Sequence, residues 1–115
     1  MDDDFRVRES IVRLAESAGY VALVFSSAEA LLQSGILAET TCLISDVRMP
    51  GMDGLELQRR IRIDFPRLPI IFLSAYSDDE VRRRALDGGA VDCMYKPFDG
   101  GDLLRAIERA IESVS

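Results

Sequence analysis

Short, continuous runs of apolar residues alternate along this chain with segments that have the apolar spacing of helices. Strands without polar alternation are typical of a parallel sheet that is covered on both faces. Helical spacing separates and flanks these runs, and several of the helical segments end at glycine. The alternation predicts an α/β fold in three layers, α/β/α. The apolar runs are "YVALVF" (20–25), "TCLIS" (41–45), "PIIFLS" (69–74) and "AVDCMY" (90–95).

Length and composition exclude several classes of protein. At 115 residues the chain is expected to form one domain, 1–115, with no effector domain. The net charge of −6 argues against nucleic-acid binding by this chain. Two cysteines without CxxC spacing and no histidine argue against a zinc site. No apolar run is long enough for a membrane span, and reduced cysteines suit a cytoplasmic protein.

Three polar residues follow neighbouring predicted strands. Asp46 ends the strand at 41–45, Ser74 ends the strand at 69–73, and Lys96 follows the strand at 91–95. Ligands of open α/β sheets bind at the carboxyl ends of the strands, so these side chains are expected to meet at one edge. An aspartate can accept a phosphoryl group, a serine can donate a hydrogen bond to it, and a lysine can neutralise its charge. Lys96 is also the only lysine among 14 basic residues.

The stretch "MDDDFRVRES" (1–10) supplies further acids near the start of the chain. Taken alone, Asp2 and Asp3 fit an acidic tail or a helix N-cap better than a metal site. Paired with Asp46, they would supply the carboxylates that Mg²⁺ takes beside a phosphate. This pairing requires the acids to lie at the carboxyl end of a neighbouring strand.

Four stretches in this order and spacing resemble the receiver domain of two-component response regulators, the CheY-like fold, and most closely the FixJ type. They are "DDD" with "VRES" (2–10), "LISDVRMPGMDG" (43–54), "IIFLSA" (70–75) and "YKPF" (95–98). The resemblance covers almost the whole chain and implies strand order 2-1-3-4-5. It implies a phosphorelay function, in which a sensor histidine kinase or phosphotransfer protein is the partner.

The resemblance also implies a role for each matched residue. Asp46 would be the phosphoacceptor. Asp3, Asp46 and the backbone carbonyl of Arg48 would hold Mg²⁺, and Asp2 would act through metal-bound water. Ser74 would follow the phosphoryl group and switch position.

Further matched positions concern the phosphate and the switch. Lys96 would bind a phosphoryl oxygen, and its bond to Pro97 would be cis. Arg48 and Tyr76 would flank the phosphate and slow its hydrolysis. The turn residue Gly54 would occupy a place where a side chain cannot fit. The 77–111 face would serve output and a homodimer, although "RRR" (82–84) alone is typical of a solvated helix face.

Two features depart from the family pattern. Cys93 stands three residues before Lys96, where the family usually has an aromatic switch residue. Only Met1 precedes Asp2, so the first strand of the family is missing and the domain is expected to be N-terminally truncated. Loss of a central strand predicts poor stability, aggregation or oligomerisation, and weakened Mg²⁺ binding.

Three other functions fit the sequence less well than a phosphoacceptor receiver domain. A haloacid-dehalogenase-type phosphatase needs a second acid two residues after its nucleophile, and Arg48 stands there. A nucleotide-binding enzyme needs a glycine-rich phosphate loop, and the chain has neither GxGxxG nor GxxxxGK. The remaining alternative is a degenerate receiver that acts only as a protein-interaction module. Outside its own phosphotransfer and dephosphorylation, no enzymatic activity is expected.

Overall fold

The structure is a computed structural model, and it describes residues 5–21, 28–47, 53–74, 79–95 and 98–112. Within these ranges, helices and strands follow the order that the apolar pattern predicts. The α-helices are α1 (Phe5–Ser17), α2 (Ala28–Ser34), α3 (Gly54–Asp64), α4 (Asp79–Asp87) and α5 (Gly100–Glu112). The strands are β1 (Leu43–Asp46), β2 (Ile70–Ser74) and β3 (Asp92–Tyr95). A short 3-10 helix spans Ile36–Glu39.

Local chemistry sets the helix ends. The side chain of Asp53 accepts a hydrogen bond from the amide of Glu56 at 2.8 Å and so caps the start of α3. Gly89 follows α4 with φ of +97°, a left-handed conformation that favours glycine at a helix C-terminus. Gly19 and Gly35 also have positive φ, and the predicted helix stops at these three glycines are confirmed.

The predicted strand at 20–25 is wrong at its first two residues. The amide of Tyr20 donates to the carbonyl of Ala15 at 3.0 Å, so this residue closes the end of α1 instead of entering a sheet. Val21 follows without strand structure and is 92% exposed. Residues 22–27 lie outside the described residues.

The described strands form a parallel sheet in the order β1-β2-β3. Leu43 pairs with Ile70, and Phe72 pairs with Cys93. The predicted parallel α/β architecture is confirmed, and these strands match positions 3-4-5 of the expected order. The expectation of a missing first strand concerns residues 1–4, which lie outside the described residues, so it stays a prediction.

Side chains alternate between the two faces of this sheet, and each face has its own core. One core joins the sheet to α2, α3 and α4 through Leu31, Leu57, Ile61, Ile70, Phe72, Ala85 and Cys93. The other joins it to α1 and α5 through Leu14, Ile71, Leu73, Leu103, Ala106 and Ile107. The predicted three-layer arrangement therefore follows from β2, whose residues are all buried. No helix among the described residues has the length and hydropathy needed to cross a membrane.

Candidate functional site

Asp46 and Ser74 lie at the carboxyl ends of two adjacent parallel strands. Asp46 is the last residue of β1 and pairs with Leu73, so Ser74 at the end of β2 is one position further along. Both residues are buried, with Asp46 6% exposed and Ser74 4% exposed. Since neighbouring strands are about 4.8 Å apart, the predicted meeting of these two residues at one sheet edge is confirmed.

Backbone hydrogen bonds fix the end of β1. The amide of Val47 donates to the carbonyl of Leu73 at 3.0 Å, which extends the β1–β2 ladder one residue past Asp46. The amide of Gly54 donates to the carbonyl of Val47 at 2.7 Å, so the start of α3 returns to this strand end. The hydroxyl of Ser45 donates to the carbonyl of Asp46 at 2.9 Å. The backbone around the candidate acceptor is therefore held from three directions.

Gly54 lies against the backbone of the candidate acceptor. A Cβ atom at this position would be 2.5 Å from the carbonyl oxygen of Asp46 and 2.9 Å from the ring of Phe72. Contacts this short do not occur for real Cβ atoms, so only glycine lets α3 approach the strand end this closely. The prediction that a side chain cannot fit at Gly54 is confirmed.

The other residues of the predicted site lie outside the described residues. They are Asp2, Asp3, Arg48, Tyr76, Lys96 and Pro97. The structure does describe Tyr95, which ends β3 and pairs with Ser74. Lys96 is thus the next residue in the chain after a strand end at the same sheet edge.

The donor set predicted for Mg²⁺ suits that ion, because Mg²⁺ prefers carboxylate and carbonyl oxygens. Asp46 supplies one such carboxylate at the sheet edge. Among the described residues, no group of three or more acidic, cysteine or histidine side chains could hold a metal ion. A magnesium site at Asp46 would therefore need further donors from residues outside the described ranges.

Cys93 occupies the predicted switch position in β3 and is buried. Its side chain belongs to the same core as Phe72 of β2 and Ala85 of α4. Burial raises the pKa of the Cys93 thiol, an effect that nearby Asp92 reinforces and Arg82 opposes. The predicted plain buried thiol is confirmed, and a small side chain packs where β3 faces α4.

Sequence reasoning missed an interaction between this strand and α4. Arg82 of α4 pairs with Asp92 of β3, with 3.2 Å between Nη1 and Oδ1, and also donates to the carbonyl of Cys93. The interpretation of 82–84 as a solvated helix face holds for the exposed Arg83 and Arg84, whereas Arg82 is half-buried and paired with β3. No sequence signal identifies which of three consecutive arginines meets an acid ten residues later.

Comparison with known proteins identifies the family. The family model of the response regulator receiver domain matches residues 1–108. The chain belongs to this family. The transcriptional regulatory protein FixJ of Bradyrhizobium diazoefficiens is 38% identical over 111 residues, which cover 96% of this chain and 54% of FixJ. The predicted FixJ-type receiver domain is therefore confirmed.

Solved structures of receiver domains share the fold. Response regulator StyR matches with a TM-score of 0.88 at 38% identity, covering 98% of this chain and 57% of StyR. The BeF3-activated receiver domain of DrrB matches with a TM-score of 0.87 at 29% identity, covering 96% of this chain and 92% of DrrB. The fold is thus the CheY-like α/β fold of two-component response regulators. The chain spans about half the length of the curated relatives it matches.

Proposed function

We propose that this receiver domain takes a phosphoryl group onto Asp46 from a sensor histidine kinase or a phosphotransfer protein. The observation that carries the proposal is the buried carboxylate of Asp46 at the carboxyl edge of the sheet, one strand away from Ser74. A carboxylate oxygen attacks the phosphorus of a phosphohistidine, the P–N bond breaks, and the imidazole leaves and takes up a proton. The product is an acyl phosphate on Asp46.

The neighbouring residues have separate roles in this proposal. The hydroxyl of Ser74 donates to a phosphoryl oxygen, and the ammonium group of Lys96 neutralises a second one. Arg48 and Tyr76 flank the phosphoryl group and limit access of water. The bond to Pro97 fixes the backbone after Lys96.

Mg²⁺ is the proposed cofactor. Asp3, Asp46 and the backbone carbonyl of Arg48 would hold the ion, and Asp2 would contact it through water. When bound, the ion would neutralise charge on the phosphoryl oxygens. The oxygen-only donor set supports this assignment.

The proposed output is a change in the 77–111 face, which includes α4, β3 and most of α5. Another protein or a second copy of this chain would read that change. The domain assists only its own phosphotransfer and dephosphorylation, and the proposal assigns it no other enzymatic activity. The phosphoryl transfer takes place in the cytoplasm, and this chain contacts neither nucleic acid nor a membrane.

Intact-mass measurement tests the acceptor directly. After incubation with acetyl phosphate and Mg²⁺, the chain should gain the mass of one phosphoryl group, and Asp46→Asn should abolish that gain. Asp53→Asn is the matched control, since it removes an exposed carboxylate at the start of α3 and leaves an amide that can still cap the helix.

Two outcomes would overturn the assignment. Undiminished labelling of Asp46→Asn would show that another group is the acceptor. A wild-type chain that neither gains mass nor binds Mg²⁺ in a titration would instead be a degenerate receiver that acts as a protein-interaction module.

A further inference from the structure

A single carboxylate connects three elements on the 77–111 face. Asp92 lies at the start of β3, and each of its oxygens is paired with an arginine from a different helix. Oδ1 is 3.2 Å from Nη1 of Arg82 in α4, and Oδ2 is 3.5 Å from Nη2 of Arg109 in α5. One charge therefore attracts both helices that flank β3.

Backbone contacts orient this carboxylate. The amide of Cys93 donates to Oδ1 of Asp92 at 2.7 Å. Arg82 donates to the carbonyl of Cys93 as well as to the carboxylate. A side chain that is already positioned loses less conformational entropy when it forms an ion pair. The side chain of Asp92 is also only 24% exposed, so salt screens its pairs less than fully exposed ones.

The polar contacts matter because α4 has little apolar contact with the sheet. Ala85 is the buried residue of this helix, and Val81 is partly buried in the same core. The side chain that β3 presents to this core is the small thiol of Cys93. Two small or medium apolar contacts give weak hydrophobic stabilisation for a helix of nine residues.

The C-terminal end of α4 has a separate attachment to α3. Gln58 donates to the carbonyl of Ala85 at 3.1 Å, and Arg62 donates to the carbonyl of Gly89 at 3.1 Å. Among the contacts between described residues, Arg82 connects the N-terminal half of α4 to the sheet.

We propose that Asp92, Arg82 and Arg109 form a polar clamp that sets how firmly α4 is held against β3 and α5. With the clamp closed, the three elements present one continuous surface. With the clamp open, the N-terminal half of α4 is free to move while its C-terminal end stays attached to α3. This concerns the unphosphorylated chain and does not depend on the proposed function.

The connection to signalling does rest on the proposed function. α4 begins at Asp79, five residues after Ser74. A displacement of Ser74 towards a phosphoryl group would pull on the start of α4, and the clamp would oppose that pull. The clamp then determines how much of the change at Asp46 reaches the 77–111 face.

Hydrogen exchange of the unphosphorylated chain tests the clamp. Asp92→Asn keeps an oxygen that can accept from the amide of Cys93 but removes the charge that attracts both arginines. We expect exchange of residues 79–87 to accelerate by about tenfold, while the buried strand 70–74 keeps its rate. Arg83→Gln is the control, because it also removes one charge, here from α4 itself, but breaks only pairs within α4, those with Glu80 and Asp87. Its exchange should stay within about twofold of wild type.

Three results would overturn the clamp. These are unchanged exchange of 79–87 in Asp92→Asn, an equal acceleration in Arg83→Gln, or an acceleration that is uniform across the chain. If Asp92→Asn does not fold, Arg109→Gln is measured instead. The side chain of Arg109 is exposed, and this variant loses only its pair with Asp92. That variant should accelerate exchange of 79–87 by about threefold, and no change would exclude the clamp. Failure of phosphoryl labelling at Asp46 would overturn the proposed function and leave these exchange results intact.

Discussion

At the scale of single residues, Gly54 constrains the candidate acceptor most directly. Gly54→Ala would place a methyl group 2.5 Å from the carbonyl oxygen of Asp46, against backbone that cannot easily move. We expect the free energy of unfolding to fall by about 1–3 kcal/mol, as for overpacked sites in general. Phosphoryl labelling should also slow, because the strand end must shift. Urea unfolding and the rate of mass gain measure these two effects.

Gly100→Ala is the matched control for that substitution. Gly100 also begins a helix, but its added Cβ would meet Leu14 at 3.5 Å, an ordinary van der Waals distance. This variant should be neutral or more stable by up to about 1 kcal/mol, because alanine favours helix. An equal loss of unfolding free energy in both variants would show that Gly54 is not required for the close approach of α3 to Asp46.

The thiol of Cys42 offers a test by chemical reactivity. Burial raises its pKa from an ordinary 9.0 to about 12, so the folded chain holds the thiol neutral. Because the thiolate is the nucleophile, alkylation by iodoacetamide at pH 8 should be about a thousandfold slower than in unfolded chain. Stability should fall as the pH rises from 9 towards 12, where the unfolded chain loses the proton first. Measuring alkylation of Cys93→Ser in buffer and in urea isolates Cys42, and similar rates in both would contradict the raised pKa.

At the scale of secondary-structure elements, the strands and long helices were predictable for a physical reason. Continuous apolar runs such as 70–74 have few other ways to bury both faces, and glycines with positive φ follow α1, α2 and α4. The 3-10 helix at Ile36–Glu39 was missed, since four residues are too few for a periodic pattern. Tyr20 was misplaced because it continues the apolar run although its amide closes α1.

The candidate site was predictable to the extent that it follows from topology. Strand ends that share an edge bring Asp46 and Ser74 together, whatever the details of packing. The pairing of Arg82 with Asp92 depends instead on the angle at which α4 crosses β3 and on side-chain rotamers. Neither quantity is set by local sequence, so this contact needed the structure.

The attachment of α3 to α4 gives a prediction at this scale. Gln58 is buried, and its amide group donates to the carbonyl of Ala85 at 3.1 Å. Gln58→Ala removes this hydrogen bond, although the carbonyl still accepts from the amide of Ala90 at 3.1 Å, and should lower the free energy of unfolding by about 0.5–1.5 kcal/mol. Arg59→Ala removes the exposed neighbour in the same helix and should change stability by less than about 0.5 kcal/mol. Urea unfolding of both variants measures the difference. Comparable losses of stability would show that Gln58 does not stabilise the contact between α3 and α4.

At the scale of the whole molecule, two cores share one sheet. Successive residues of β2 belong to different cores, with Phe72 on the side of α3 and α4 and Leu73 on the side of α1 and α5. A strand that is buried on both faces transmits loss of packing from one core to the other through its ladder. The helices on the two faces should therefore unfold together and not as separate units.

Leu73→Ala tests this cooperativity. Leu73 is fully buried, and truncation of a buried leucine costs about 2–5 kcal/mol, a large part of the 5–15 kcal/mol typical of a domain. Slow amides of α3, on the opposite face, should accelerate by the same factor as those of α5, because both exchange through global unfolding. Leu86→Ala makes the same truncation at a residue that is 38% exposed and should change both rates by less than about threefold. Acceleration in α5 without acceleration in α3 would show that the two faces of this receiver domain open independently.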